Sequence, residues 1–141
     1  MATTNPLSLR LDRETLLRLD ALSERSGERR SELIRRYAEE GLRMDEHPRI
    51  VFRPGPAGRR AAIEGGPDVW TMIAVVRDLG ARGEEAVAST AAHLELDPEL
   101  VRVAIRYYAD YPEEVDLLIR RNEEAAERFR AAALRERAAL E

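Results

Sequence analysis

The sequence predicts a mainly α protein in two unequal parts: one short strand and two helices at the N-terminus, then a short β-hairpin followed by a C-terminal helical domain. Three observations lead there. Leu7-Ser8-Leu9-Arg10-Leu11 alternates apolar and polar residues with period two, the pattern of a half-buried strand. From Asp12 to Leu42 apolar residues recur at helical spacing, broken once at Gly27. Beyond a Pro/Gly stretch at residues 54–58, four more helical stripes follow one another toward the C-terminus.

Taken in order, the strand is followed by Asp12 as an N-cap, and Leu16, Leu19 and Leu22 then mark a helix over about Arg13 to Ser26, with Gly27 at its C-terminus. Leu33, Ile34, Tyr37, Ala38 and Leu42 mark one face of a second helix, from about Arg30 to Met44. R-I-V-F-R and R-R-A-A-I flank P-G-P-A-G, which reads as a β-hairpin with Arg53, Arg59 and Arg60 clustered in it. Val69, Met72, Ile73 and Val76 give a helix ending before Gly80, and residues from Glu84 to about Leu94 give an alanine-lined one. Asp97-Pro98 opens a third, since aspartate caps well and proline at the first helical position gives up an N–H that has no partner anyway. Pro112 ends it, and an amphipathic tail helix runs from about Glu113 through Val115, Leu118, Ile119, Asn122, Ala126, Phe129 and Ala133, its far end prone to fray. Three segments are expected: 1–44, a hairpin or linker at 45–66, and a helical domain at 67–141.

A lone five-residue strand has unpaired N–H and C=O groups, and nothing nearby in the sequence supplies a partner. The expected partner is the same strand of a second chain. Two-fold antiparallel pairing would bury Leu7, Leu9 and Leu11 with Leu33, Ile34 and Tyr37 in a shared dimer core and leave Pro6, Ser8 and Arg10 outside.

Composition narrows the function. The chain has no cysteine, which excludes disulfides and thiol chemistry and suits a reducing cytoplasm. No apolar run approaches the roughly twenty residues of a membrane span, and the N-terminus reads as neither a leader nor a signal, so a cytoplasmic protein is expected. All 23 basic residues are arginine, read as a coding bias. Residues 1–63 carry 13 Arg against 10 acidic residues, whereas 64–141 carry 10 against 17, so a polyanion suits the first half and a basic protein the second. His47 and His93, placed in a linker and near a helix end, form no triad or metal spacing, and Gly65-Gly66-Pro67 lacks the lysine of a phosphate loop. The carboxylate runs Glu84-Glu85 and Glu113-Glu114-Asp116 sit at helix starts, where the macrodipole favours them. No enzymatic activity, cofactor or metal is expected.

Residues 6–44, with L-S-L-R-L-D-R-E-T-L-L-R-L-D-A-L and then G-E-R-R-S-E-L-I-R-R-Y-A-E-E-G-L, resemble the MetJ/Arc/CopG ribbon-helix-helix family. The resemblance implies an intertwined dimer with one strand per chain, whose ribbon enters the major groove of operator DNA. It makes Ser8 and Arg10 base readers, and Arg29, Arg30 and Ser31 at the start of the second helix a phosphate anchor, with Arg29 standing where the family usually has Ser or Thr. Residues 47–118, with H-P-R-I-V-F, V-W and E-L-V-R-V-A-I-R-Y-Y-A-D-Y-P-E-E-V-D, resemble a small helix-turn-helix-like antitoxin domain paired with PIN-like ribonuclease toxins, although I-E-G-G-P-D-V-W stands where that family has a G-T-R-I-P-V-type stretch. Trp70, Tyr107 and Tyr111 are candidate partner-binding residues, with a core role as the first reading. Arg102 and Arg106, four apart, would suit a second DNA reader, but the acids around them favour a solvated face or a protein contact. The expectation is a transcriptional repressor, an antitoxin that silences its own operon; the alternative is a stand-alone regulator whose C-terminal domain binds an effector or assembles dimers into tetramers.

Overall fold

The computed structural model describes residues 3–141 and divides into two compact units, Met1–Leu42 and Arg43–Glu141. The first holds α1 (Arg13–Ser26) and the start of α2 (Arg30–Glu46). The second holds the end of α2, the hairpin β1 (Ile50–Arg53) and β2 (Arg60–Ile63), and the helices α3 (Val69–Leu79), α4 (Gly83–Leu94), α5 (Pro98–Asp110) and α6 (Pro112–Ala139).

The local chemistry accounts for the helix ends. The Asp12 carboxylate accepts a hydrogen bond from the Thr15 N–H at 2.7 Å, satisfying a donor that α1 leaves unpaired. Gly27 closes α1 with φ of 75°, a left-handed conformation that only glycine adopts without steric cost. Asp97 caps α5 through the Glu99 N–H at 2.8 Å. Asp68 occupies the same position before α3 but makes no capping bond, because its carboxylate is taken by Arg60 and by the Trp70 indole N–H. Tyr111, non-helical before Pro112 with φ of −129° and ψ of 54°, separates α5 from α6. The far end of α6 is helical to Ala139.

Leu7–Leu11 carries no strand within a single chain. A strand exists through its ladder, and among the described residues the first unit holds no other strand to pair with it. Leu7 is 86 % exposed and Leu9 56 %, whereas Leu33 is wholly buried and Leu19 nearly so between the two helices.

In the second unit β1 and β2 pair antiparallel with Ile50 opposite Ile63 and Arg53 opposite Arg60. Two like charges face each other across that last pair, a destabilising arrangement unless both are neutralised. Asp68 lies against both guanidinium groups, and Arg53 also donates to the Gly66 and Ile63 carbonyls at 2.9 and 3.0 Å. Arg53 and Arg60 of the hairpin's arginine cluster therefore form a structural clamp. Ile50, Ala61 and Ile63 sit in one core with Val69, Met72, Val101, Tyr107 and Val115. The hairpin is thus part of the helical domain rather than a linker, since its apolar face has nowhere else to be buried.

Candidate DNA-binding surface

Leu9 and Leu11 line an open groove of about 710 Å³ in the first unit, together with Leu19, Leu22, Ile34 and Tyr37. Tyr37 is 46 % exposed and Ile34 half-buried, so part of the face expected to form the dimer core is uncovered in one chain, whereas Leu33, expected in that core, is already buried within the chain. An apolar surface of this kind is stabilised by roughly 25 cal/mol for each Å² withdrawn from water, and two helices cannot withdraw it alone.

Ser8 and Arg10 are exposed, and Arg10 makes no ion pair with any described residue. Arg29, Arg30 and Ser31 are exposed at the start of α2, as a phosphate contact requires. Two contacts at this helix start go beyond the expected phosphate anchor. The Glu32 carboxylate reaches back to the Arg29 N–H at 3.3 Å, so one donor that would meet a phosphate already has an anionic partner. Arg30 pairs with Asp20 of α1 at 3.2 Å, both side chains half exposed. Arg29 is left as the free cation of the expected trio among the described residues. The turn between the helices is wired by Ser23, whose hydroxyl donates to the Glu28 carbonyl at 2.5 Å, and by the Glu28 N–H donating to the Ser26 hydroxyl at 3.2 Å. Glu32 was legible as the fourth member of an N-terminal capping pattern; the Asp20 contact depends on how α1 and α2 pack.

The candidate residues of the second unit separate. Tyr107 is wholly buried and belongs to the core, so it cannot anchor a surface partner. Its hydroxyl donates to Glu114 at 2.8 Å and accepts from Arg43 at 2.9 Å. Burial, with Glu114 adding to it, raises the Tyr107 phenol well above its ordinary value. Tyr111 is half-buried, with the Arg43 guanidinium 4.1 Å from its ring centroid. Trp70, also half-buried, lines an open groove of about 430 Å³ with Asn122 and Leu118.

His47 lies in the short connection between α2 and β1 but is buried there, its Nε2 2.8 Å from Asp110 Oδ2 and its ring edge-on to Tyr107 and Tyr111. The acidic runs at helix starts do more than meet a macrodipole: Glu84 holds Arg102 at 2.6 Å, Glu114 holds Arg43 at 2.9 Å and Asp116 holds Arg77. With Arg106 on Glu99 at 2.9 Å, both arginines of the α5 pair are neutralised, which argues against a second phosphate-binding face.

Residues 5–43 match the family described as ribbon-helix-helix protein, copG family. No curated protein and no solved structure matches the chain. Ribbon-helix-helix proteins bind DNA and form dimers. No helix among the described residues is long and apolar enough to cross a membrane.

Proposed function

We propose that this chain is a sequence-specific transcriptional repressor that binds a palindromic operator as a homodimer. The single observation that carries it is the uncovered groove of the first unit, lined by Leu9, Leu11, Ile34 and Tyr37, within the segment that matches the ribbon-helix-helix family. A second copy fills that groove with its own Leu7, Leu9 and Leu11, and the strand acquires the ladder it lacks. Ser8 and Arg10 then lie on the open face of the ribbon. Arg10 offers two parallel N–H donors to guanine O6 and N7, worth about 1–3 kcal/mol of discrimination per contact. Arg29 and Ser31 sit at the phosphate, and Glu32 must give up the Arg29 N–H for the helix N-terminus to join them.

The second unit is the partner module, with a PIN-like ribonuclease toxin as its partner and the repressed operon as their shared one. Resemblance over 47–118 and the acidic excess of residues 64–141 support this. Trp70 and Tyr111 remain as contact residues on its surface. The second reading, a stand-alone regulator that assembles through its C-terminal helix, draws support from the exposed apolar residues Phe129, Leu134 and Leu140.

The test is binding of the full chain to DNA from its own promoter at several salt concentrations, with Arg10→Ala alongside. Loss of operator preference with an intact dimer supports the ribbon; an unchanged preference removes it. Co-expression with the product of the adjacent reading frame decides between toxin partner and stand-alone regulator. Deletion of 1–42 is the appropriate truncation, because a fragment beginning at residue 64 would lose Ile50, Ala61 and Ile63 from the core.

A further inference from the structure

We propose that the groove between the hairpin turn and α6 is a binding site for a small carboxylic acid with a flat apolar body. The groove holds about 430 Å³, within the roughly 300–1,000 Å³ of small-molecule sites. It is lined by the turn at residues 55–58, by Arg60, Asp68 and Trp70, and by α6. The contribution of α6 is Leu118, Arg121, Asn122 and Ala125, spaced by three and four residues and so on one face of the helix.

The turn is fixed in place by a side chain that also serves α3. Arg60 pairs with Asp68 and donates to the Pro54 carbonyl at 2.7 Å, so its guanidinium ties the turn to the start of that helix. A Cβ at Gly55 would collide with the pinned guanidinium, and the turn lies this close only because glycine stands there. The same bonds use up the inner polar groups: Arg60 and Asp68 neutralise each other, and the Trp70 indole N–H donates to Asp68 at 3.2 Å. A ligand therefore meets apolar surface from Trp70, Leu118, Pro56 and Ala125. Two polar groups remain, adjacent on α6. The Arg121 guanidinium makes no ion pair with any described residue, and the Asn122 side-chain amide has no hydrogen-bond partner among them.

Charge and shape together select the ligand. Among the described residues Arg121 is the uncompensated charge of the lining, so the groove favours an anion. A guanidinium takes a carboxylate through two parallel N–H bonds, and the Asn122 amide adds a further donor beside it. The indole and Leu118 cover a flat apolar body, which a phosphate or a nucleic-acid backbone lacks. None of this rests on the ribbon or on operator DNA. Trp70 is also a contact residue of the partner surface described above, so ligand and protein partner compete there.

Trp70 is the single tryptophan of the chain, and its emission reports on the groove directly. Benzoate and phenylacetate titrated into the full chain change that emission saturably. Acetate, which lacks the body, and benzamide, which lacks the charge, act only at concentrations about tenfold higher or more. Arg121→Gln weakens benzoate binding about tenfold, the loss expected when a charge-assisted hydrogen bond goes. Ala125→Phe fills the groove without altering its charge and abolishes binding, while circular dichroism confirms that the helices remain. An equal response to acetate means an adventitious ion only and overturns the proposal; an equal response to benzamide overturns the choice of a carboxylic acid. Binding that neither substitution changes lies elsewhere, and no saturable response to either aromatic acid overturns the site itself. The titrations contain no DNA, and operator binding by the same variants is measured separately, so the repressor reading and this one fail independently.

Discussion

Arg43 is the residue through which the end of α2 is held in the second unit, and its removal has a cost that follows from its contacts. The guanidinium donates to Glu114 at 2.9 and 3.1 Å, donates to the Tyr107 hydroxyl at 2.9 Å, and stacks on Tyr111. Hydrogen bonds to charged groups contribute about 1.5–3 kcal/mol, and a partly exposed cation–π contact about 0.5–1. Side-chain exposures of 28 % for Arg43 and 35 % for Glu114 mean that water screens the pair and recovers part of its stabilisation when it is broken. Arg43→Met should therefore destabilise the second unit by about 2 kcal/mol, a fall of roughly 8–16 °C in its thermal midpoint. Glu114→Gln should cost less, because the amide keeps an acceptor for Tyr107. In a double-mutant cycle the two changes should couple by about 1–2 kcal/mol. Urea unfolding, followed by the fluorescence of Trp70, reads the second unit specifically. A loss below about 0.5 kcal/mol for Arg43→Met, or no coupling, would mean that the network only decorates a surface already held by Val115 and Ile119.

Four further outcomes are expected. Arg10→Ala should reduce operator preference about fivefold to a hundredfold per half-site while leaving the dimer mass unchanged in sedimentation. Arg29→Ala should weaken binding to every sequence alike and flatten the salt dependence of log K by about one for each phosphate no longer neutralised, as measured by fluorescence anisotropy. Glu32→Gln should strengthen DNA binding, because it removes an anion from the helix start that must receive phosphate; weaker binding would show that its cap matters more than its charge. Tyr107 has a raised phenol pKa, so its contribution to stability is complete below the ordinary value of 10.0 and is lost as pH rises through the higher folded value. Tyr107→Phe should flatten that alkaline loss, which a urea titration between about pH 9 and 11 would detect.

Helix ends were legible in the chain because each is set by a few neighbouring residues: Asp12 and Gly27 around α1, Asp97 and Pro98 at the start of α5, Gly80 after α3. Apolar spacing likewise assigned Val69, Met72, Ile73 and Val115 to buried faces from the sequence alone. Contacts between residues distant in the sequence were not legible. That Glu114 would face Arg43, that Asp68 would hold two cross-strand arginines rather than cap its helix, and that His47 would be buried beside Asp110 all depend on how elements meet in three dimensions. Partner choice among charged side chains is decided by distances of a few ångströms, and those are set only when the core closes. The strand at Leu7–Leu11 marks the opposite limit: its alternation is plain in the sequence, yet one chain cannot realise it, because a ladder needs a second strand that the chain's own tertiary structure does not provide.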